Sequence, residues 1–202
     1  MALRAVDELP FAVGWLDDRD KLARTSHALA DGDGVWLVDP LDLPGSAELW
    51  VRFGRPRGVI QLLGHHNRDA KALAGRLGVP HHYVPRGRVD GAPFEFRPVR
   101  VFPGWREAAL WWPEHRTLVT GDALGTVGHI PAPGERLGVH PIVRFRPPRS
   151  LAGLPAEHVL CGHGAGVHGP DTAAELERAV RTARRRIPAA WLSAVQFWSG
   201  RR

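Results

Sequence analysis

Three short apolar runs in this chain each stop at a glycine, with histidine or aspartate at once beyond it. Gly58-Val59-Ile60-Gln61-Leu62-Leu63 leads into Gly64-His65-His66-Asn67-Arg68-Asp69-Ala70. Arg116 to Thr120 leads into Gly121-Asp122-Ala123-Leu124, and Glu157-His158-Val159-Leu160-Cys161 leads into Gly162-His163-Gly164. Runs of this length and character fit buried strands. Loops at strand ends are where sheet proteins usually place chemistry. A fold that gathers these loops collects two histidines and two aspartates, His65, Asp69, Asp122 and His163. Zinc takes about four ligands of this kind, so the set suits one ion and falls short of an ordinary pair.

The pattern between these loops is mixed. Phe11 to Leu16 is apolar and Thr25 to Ala30 alternates loosely. Asp31-Gly32-Asp33-Gly34 followed by Val35-Trp36-Leu37-Val38 predicts a hairpin that stops at Asp39-Pro40. After the His-rich loop a helix is predicted, with Asn67 as its cap and Asp69 in its first turn. Ala70, Leu73, Ala74 and Leu77 form its face, and Gly78 with Pro80 stops it. Val99 to Phe102 and Ala108 to Trp112 read as β. In the second run Trp111 and Trp112 alternate, so one faces the core and the other a sheet face or partner. From Gly125 to Ser150 the pattern fades into Pro- and Gly-rich loop. A last helix starts at Thr172, where Thr172 and Glu175 suggest a capping box. Pro188 is predicted to end it, leaving Trp191, Leu192, Val195 and Trp198 on a short amphipathic turn docked on the body.

Length and composition narrow the classes. The 202 residues suit one domain, 1–202, with a substantial core, and the chain is 44% hydrophobic and 24% charged. No apolar run approaches the ~20 residues needed to cross a bilayer, so no membrane partner is expected. The start has no apolar segment of a signal peptide. The lone cysteine, Cys161, forbids an internal disulfide and reads as a small core residue. Together these point to a cytoplasmic protein. Of 27 basic residues only Lys21 and Lys71 are lysine, and the arginines are spread along the chain apart from Arg184-Arg185-Arg186. The net charge of +6 is therefore read as compositional bias, and a small molecule is the expected partner ahead of nucleic acid. There is no Gly-x-Ser-x-Gly elbow and no Walker loop. Gly164-Ala165-Gly166-Val167-His168-Gly169 matches Gly-x-Gly-x-x-Gly, but no second strand and no acidic residue ~20 positions on follow it, which excludes a dinucleotide site there.

The order of strand, His/Asp loop and helix, then strand and Gly-Asp, then strand and Gly-His-Gly, resembles the metallo-β-lactamase superfamily. The resemblance runs from the first hairpin to the final helix. It implies an α/β fold, a four-layer αββα sandwich. In that family the first loop reads His-x-His-x-Asp-His. A further histidine follows Pro-Gly, an aspartate from Gly-Asp bridges, and Gly-His-Gly supplies the last histidine. Together these hold two metal ions, usually zinc. Here the first histidine falls at His65, the motif aspartate at Asp69, the bridging aspartate at Asp122 and the last histidine at His163. Asn67, Ala70 and Trp105 stand where three histidines are lost.

The resemblance thus implies a degenerate site with one zinc or other divalent ion, or none. Asp69, Asp122 and His163 would hold the ion and leave a position for water, with His65 either a further ligand or a hydrogen-bond donor behind the ligands. Asp69 would also move protons. The implied reaction is hydrolysis of a small ester, lactone, thioester or amide. The alternative is a non-catalytic protein that keeps the fold and binds a ligand or partner in the old cleft or on its Trp-rich surface. Nucleic-acid binding is a third reading, since some relatives process nucleic acids. His66, Asn67, Trp105 and His168 are candidate pocket residues. His66 is expected to point away if the loop keeps the family geometry, whereas His129, His140 and His168 lie near enough in sequence to repair the site. Trp105 either fills the vacated space or walls a ligand. Each residue also has a plainer role: Asn67 and Asp69 at a helix start, His65 on a buried carbonyl, Asp122 in a turn. The oligomeric state is left open by the sequence.

Overall fold

A computed structural model describes residues 2–66 and 68–200. In chain order the elements are β1 (Leu3–Leu9), β2 (Ala12–Asp17), β3 (Ser26–Asp31), β4 (Gly34–Val38), α1 (Ser46–Trp50), β5 (Arg55–Gln61), α2 (Ala70–Leu77) and β6 (His81–Tyr83). There follow β7 (Glu95–Val99), β8 (Glu107–Trp112), β9 (Thr117–Thr120), β10 (Leu124–Gly125), β11 (Gly138–Val139), β12 (His158–Cys161), β13 (Val167–His168), α3 (Thr172–Thr182) and α4 (Ile187–Ser199). One sheet has six strands in the order β1-β2-β3-β4-β5-β6. The other has five, in the order β13-β12-β9-β8-β7, and β10 pairs with β11 apart from both.

The two-residue period of the strands sorts their side chains into layers. Leu29, Trp36, Val38 and Ile60 of the first sheet meet Leu110, Trp112, Val119 and Leu160 of the second in one core. Their neighbours on the same strands, Ala28, Leu37 and Val59, turn the other way and pack on Trp50 of α1 and on Ala70, Leu73 and Ala74 of α2. On the far side Ala109, Trp111, Leu118, Val159 and Cys161 pack on Leu176, Ala179 and Val180 of α3. The result is an α/β/β/α sandwich. Trp112 lies between the sheets and Trp111 lies under α3, so both are buried, on opposite faces of β8. Truncating a buried aromatic such as Trp112 to alanine costs about 3–5 kcal/mol.

Local chemistry sets the details. The β3–β4 hairpin closes with Asp31 opposite Gly34, and Gly32 takes φ +59° in the turn, where a side chain is strained. The C-terminal region departs from the sequence reading. Asp171 caps α3 by position, no side chain bonds to the cap, and the Glu175 carboxylate instead pairs with Arg136 at 2.8 Å, so the capping box does not form. Pro188 sits in the first turn of α4, where its missing N–H costs nothing, and it opens a helix of 13 residues where a short turn was expected. The region 125–150, read as loop, contains β11 and a 3-10 turn at Val143–Phe145, and β10 and a second 3-10 turn at Arg149–Leu151 overlap its two ends.

The fold positions the site through two parallel pairs. β4 and β5 run parallel, with Val38 opposite Ile60, and β9 and β12 run parallel, with Thr120 opposite Cys161. Residues just beyond each pair, Asp39 with Leu62 to His66 and Asp122 with His163, therefore leave their sheets side by side. An antiparallel bridge between Leu63 and Glu107 ties the two sheets together beside them.

Candidate metal centre

His66, Asp122 and His163 form the centre. His66 Nε2 is 2.7 Å from Asp122 Oδ1, and His163 Nε2 is 3.0 Å from the same oxygen. Their donor atoms all lie within 4.8 Å of one another. For bonds of about 2.0–2.2 Å, the corners of a tetrahedron lie roughly 3.4 Å apart, so a small opening admits an ion.

Both rings are held from behind. His163 Nδ1 donates to the Leu22 carbonyl at 2.9 Å, since a carbonyl only accepts, and this leaves Nε2 as the atom turned toward Asp122. His66 Nδ1 donates to Asp39 Oδ2 at 3.1 Å. Asp39 is itself fixed, because its other oxygen accepts the Leu62 N–H at 3.0 Å. A carboxylate or carbonyl behind a histidine sets its tautomer and raises its basicity, the arrangement found behind metal-binding imidazoles.

The chain folds this way for local reasons. Gln61 donates from Nε2 to the carbonyls of Leu63 at 2.9 Å and His66 at 3.2 Å, which curls the loop so that His66 turns inward. The glycines flanking His163 are required. A Cβ on Gly162 would strike the Gly121 carbonyl, and Gly164 has φ +88° with Thr126 in the way of any side chain. Arg68 braces the loops from below. Its guanidinium donates to the carbonyls of Thr25, of Asp39 at 3.1 Å and of Gly162 at 2.8 Å.

Charge in the centre is balanced by contact. Burial and the nearby Arg68 push the His66 ring down, but Asp39 and Asp122 outweigh them and lift it to about 8. Burial works against ionised Asp122, yet hydrogen bonds from His163 and His66 hold its carboxyl well below the usual range. Asp39 is also held low, with the His66 ring and Arg68 overcoming its complete burial. Without an ion the centre is therefore an imidazolium between two carboxylates. Glu107, fully buried behind Asp122, is pushed up to about 7 by burial and by Asp122, although the Ala123 N–H and the Trp105 indole donate to it. Burial, then His163 and His140, push His129 down to about 4, and burial also lowers His140. These two rings stand beside the centre as neutral imidazoles, His129 with its centroid 6.1 Å from that of His163.

The structure distributes the sequence candidates unevenly. Asp122 and His163 are in the centre. His65 is at its mouth, exposed, with Nε2 3.6 Å from Asp122 Oδ2 and its ring edge-on to Trp105 at 5.4 Å. Trp105 walls the mouth between His65 and His140. Asp69 is elsewhere: its carboxylate is exposed and accepts the Asp42 N–H at 2.8 Å. The physical reason is that Arg68 takes the inward direction at the helix start, so the residue after it faces out. His66, read from sequence as pointing away, points in. His168 does not approach the cleft, since its Nε2 is 3.0 Å from Asp7 Oδ1 and its Nδ1 is 3.1 Å from His158. Asn67 lies outside the described residues.

Sequence reasoning also missed Asp39, Arg68 and Glu107. Asp39 had a signal, being an aspartate that directly ends an apolar strand, as in Gly121-Asp122. Arg68 and Glu107 had none. A cavity of about 530 Å³ reaches His66 from the α2 side, bordered by Arg68, Lys71, His81 and Tyr83.

Comparison with solved structures agrees with this architecture. The DIM-1 metallo-beta-lactamase superposes with a TM-score of 0.60 at 14% identity, over 91% of this chain and 99% of that one. A metallo beta lactamase from Hirschia baltica gives 0.60 at 12% identity, over 89% of this chain and 98% of its own. One from Pontibacter korlensis gives 0.59 at 9%, over 89% and 99%. No family model and no curated protein matches the sequence. The chain has the metallo-β-lactamase fold. Within it, a His/Asp/His group at the sheet ends is suited to a divalent metal.

Proposed function

We propose that this chain is a mononuclear metal-dependent hydrolase, with His66, Asp122 and His163 holding a single zinc or similar divalent ion. One observation carries the reading: two imidazole Nε2 atoms converge on one carboxylate oxygen, each with its Nδ1 already engaged. Bound there, such an ion supplies a Lewis acid and lowers the pKa of water toward neutral. The chain's own residues do the rest. Asp39 keeps the Nδ1 proton of His66, and the Leu22 carbonyl keeps that of His163. His65, exposed at the mouth beside Asp122, is placed to be a further ligand or to exchange a proton with substrate. Trp105 shields one side, and the neutral rings of His129 and His140 line another as hydrogen-bond partners. Small esters, lactones, thioesters and amides are carried over as the substrate classes from the family resemblance alone. The single buried Cys161 supports a reducing, cytoplasmic setting.

The test is metal analysis of protein purified without chelator, followed by hydrolysis assays on ester, lactone, thioester and amide panels. About one ion per chain, lost in Asp122→Ala together with turnover, is the expected result. A metal-free protein that gains no ion on zinc titration would overturn the reading and leave a ligand-binding cleft. Bound metal without turnover on any panel would keep the centre and remove the hydrolase.

A further inference from the structure

Helix α4 has no charged residue between Ile187 and Ser199, and its buried residues are Ala190 and Ala194. Two alanines four apart form the docked stripe, so the bulky residues point elsewhere. Trp191, Leu192, Val195 and Trp198 are 44%, 56%, 59% and 59% exposed. Their spacing places them on one helical face. A contiguous apolar face of this kind is uncommon on a surface that meets only water.

The segment before α4 carries the opposite chemistry. Arg184 and Arg185 are exposed and, with Arg149 and Arg181, border a cavity of about 660 Å³. Glu177 is the acidic residue on its rim, and it is already paired with Arg181. Trp191 lies four residues into α4, about 6 Å along the axis from its start. Arg184 and Arg185 of the cationic cleft therefore stand just ahead of the helix that carries the apolar face.

We propose that the arginine cleft and the exposed face of α4 form one docking surface for an anionic lipid bilayer. The guanidinium forks would take headgroup phosphates, and the helix would lie in the interface with its tryptophans at headgroup depth. That no helix among the described residues is long and apolar enough to cross a membrane speaks to spanning, not to lying on the surface. A second copy of the chain fits less well. A helix about 20 Å long and 10 Å wide offers a footprint of roughly 200 Å², against about 800 Å² per partner in a stable interface. Widening that contact would set Arg184 and Arg185 against their own copies.

The experiment is co-sedimentation of the full chain with vesicles of phosphatidylcholine alone and of phosphatidylcholine mixed with phosphatidylglycerol. Binding to the mixed vesicles, weakening steeply with salt, and little binding to the neutral ones is expected. Trp191→Ser with Leu192→Ser should abolish it. Arg184→Gln with Arg185→Gln should weaken it about 25-fold, at roughly fivefold per arginine. Trp198 is left unchanged because its ring packs 5.8 Å from that of His129. Thermal melts check that each variant folds, and the arginine pair decides if the tryptophan variant does not. Failure to bind either vesicle would overturn the proposal. So would stabilisation by inorganic phosphate without vesicle binding, or a dimer in light scattering that Trp191→Ser dissociates.

Discussion

The Asp39 carboxylate stands 3.1 Å behind His66 Nδ1 and sets both the tautomer and the direction of that ring. Asp39 has φ +44°, in the left-handed region that asparagine tolerates better than most residues, so Asp39→Asn preserves the backbone while removing the charge. Metal affinity should fall about 10–100-fold in Asp39→Asn, as measured by competition with a chelator of known affinity. An unchanged affinity would mean that His66 does not bind the ion.

Protons and metal compete for His66 Nε2. The folded ring titrates at about 8, above its ordinary 6.5, so metal-free protein gains stability from this group below pH 6.5 and loses it as pH rises through 8. The loss is at most about 2 kcal/mol, read as a lower urea midpoint at about pH 9 than at about pH 6.5. Glu107 acts in the same direction between its usual 4.5 and about 7. His129 acts oppositely between about 4 and 6.5, so above 6.5 the His66 loss and the last part of the Glu107 loss act together, both lowering stability. Metal affinity should move the other way, tightening roughly tenfold per pH unit up to about 8 and then levelling.

The strands were legible as short apolar runs and the layering as what the family resemblance implies; which face each residue takes, as in Val59 toward α2 and Ile60 toward the other sheet, was not marked, because both are apolar. The strand-end glycines marked where chemistry sits. The identity of the inward residues was not legible in the His65 to Asp69 loop. One position of rotation there exchanges His65 for His66, and that choice is made by Gln61 and Arg68, whose partners are distant in sequence. The capping-box pattern at Thr172 was likewise overridden by Arg136, a residue 39 positions from Glu175. Local pattern locates elements, while long-range polar contacts decide which side chains face inward.

That choice makes a sharp comparison between neighbours. Asp69→Asn should leave metal affinity unchanged and cost less than about 0.5 kcal/mol, since an amide oxygen can still accept the Asp42 N–H. His66→Ala should remove most of the affinity. Isothermal titration with zinc distinguishes the two, and the reverse order would restore the family assignment of Asp69 as a ligand.

Arg68 is the brace on which the loops converge, and its loss should be felt first in stability. Its guanidinium joins the Thr25 carbonyl beside β3, the Asp39 carbonyl beyond β4 and the Gly162 carbonyl beyond β12. Arg68→Met keeps much of the stem but takes a donor from the Thr25, Asp39 and Gly162 carbonyls, of which Gly162 keeps the Thr25 N–H, and removes a cation near Asp39 and Asp122. Urea unfolding of the metal-free variant should show a loss of about 2–4 kcal/mol. Because the metal donors themselves are untouched, saturating zinc should recover part of that loss, as any ligand that binds the folded state alone must. Zinc that stabilises wild type but not Arg68→Met would mean that Arg68 builds the donor geometry as well as bracing it.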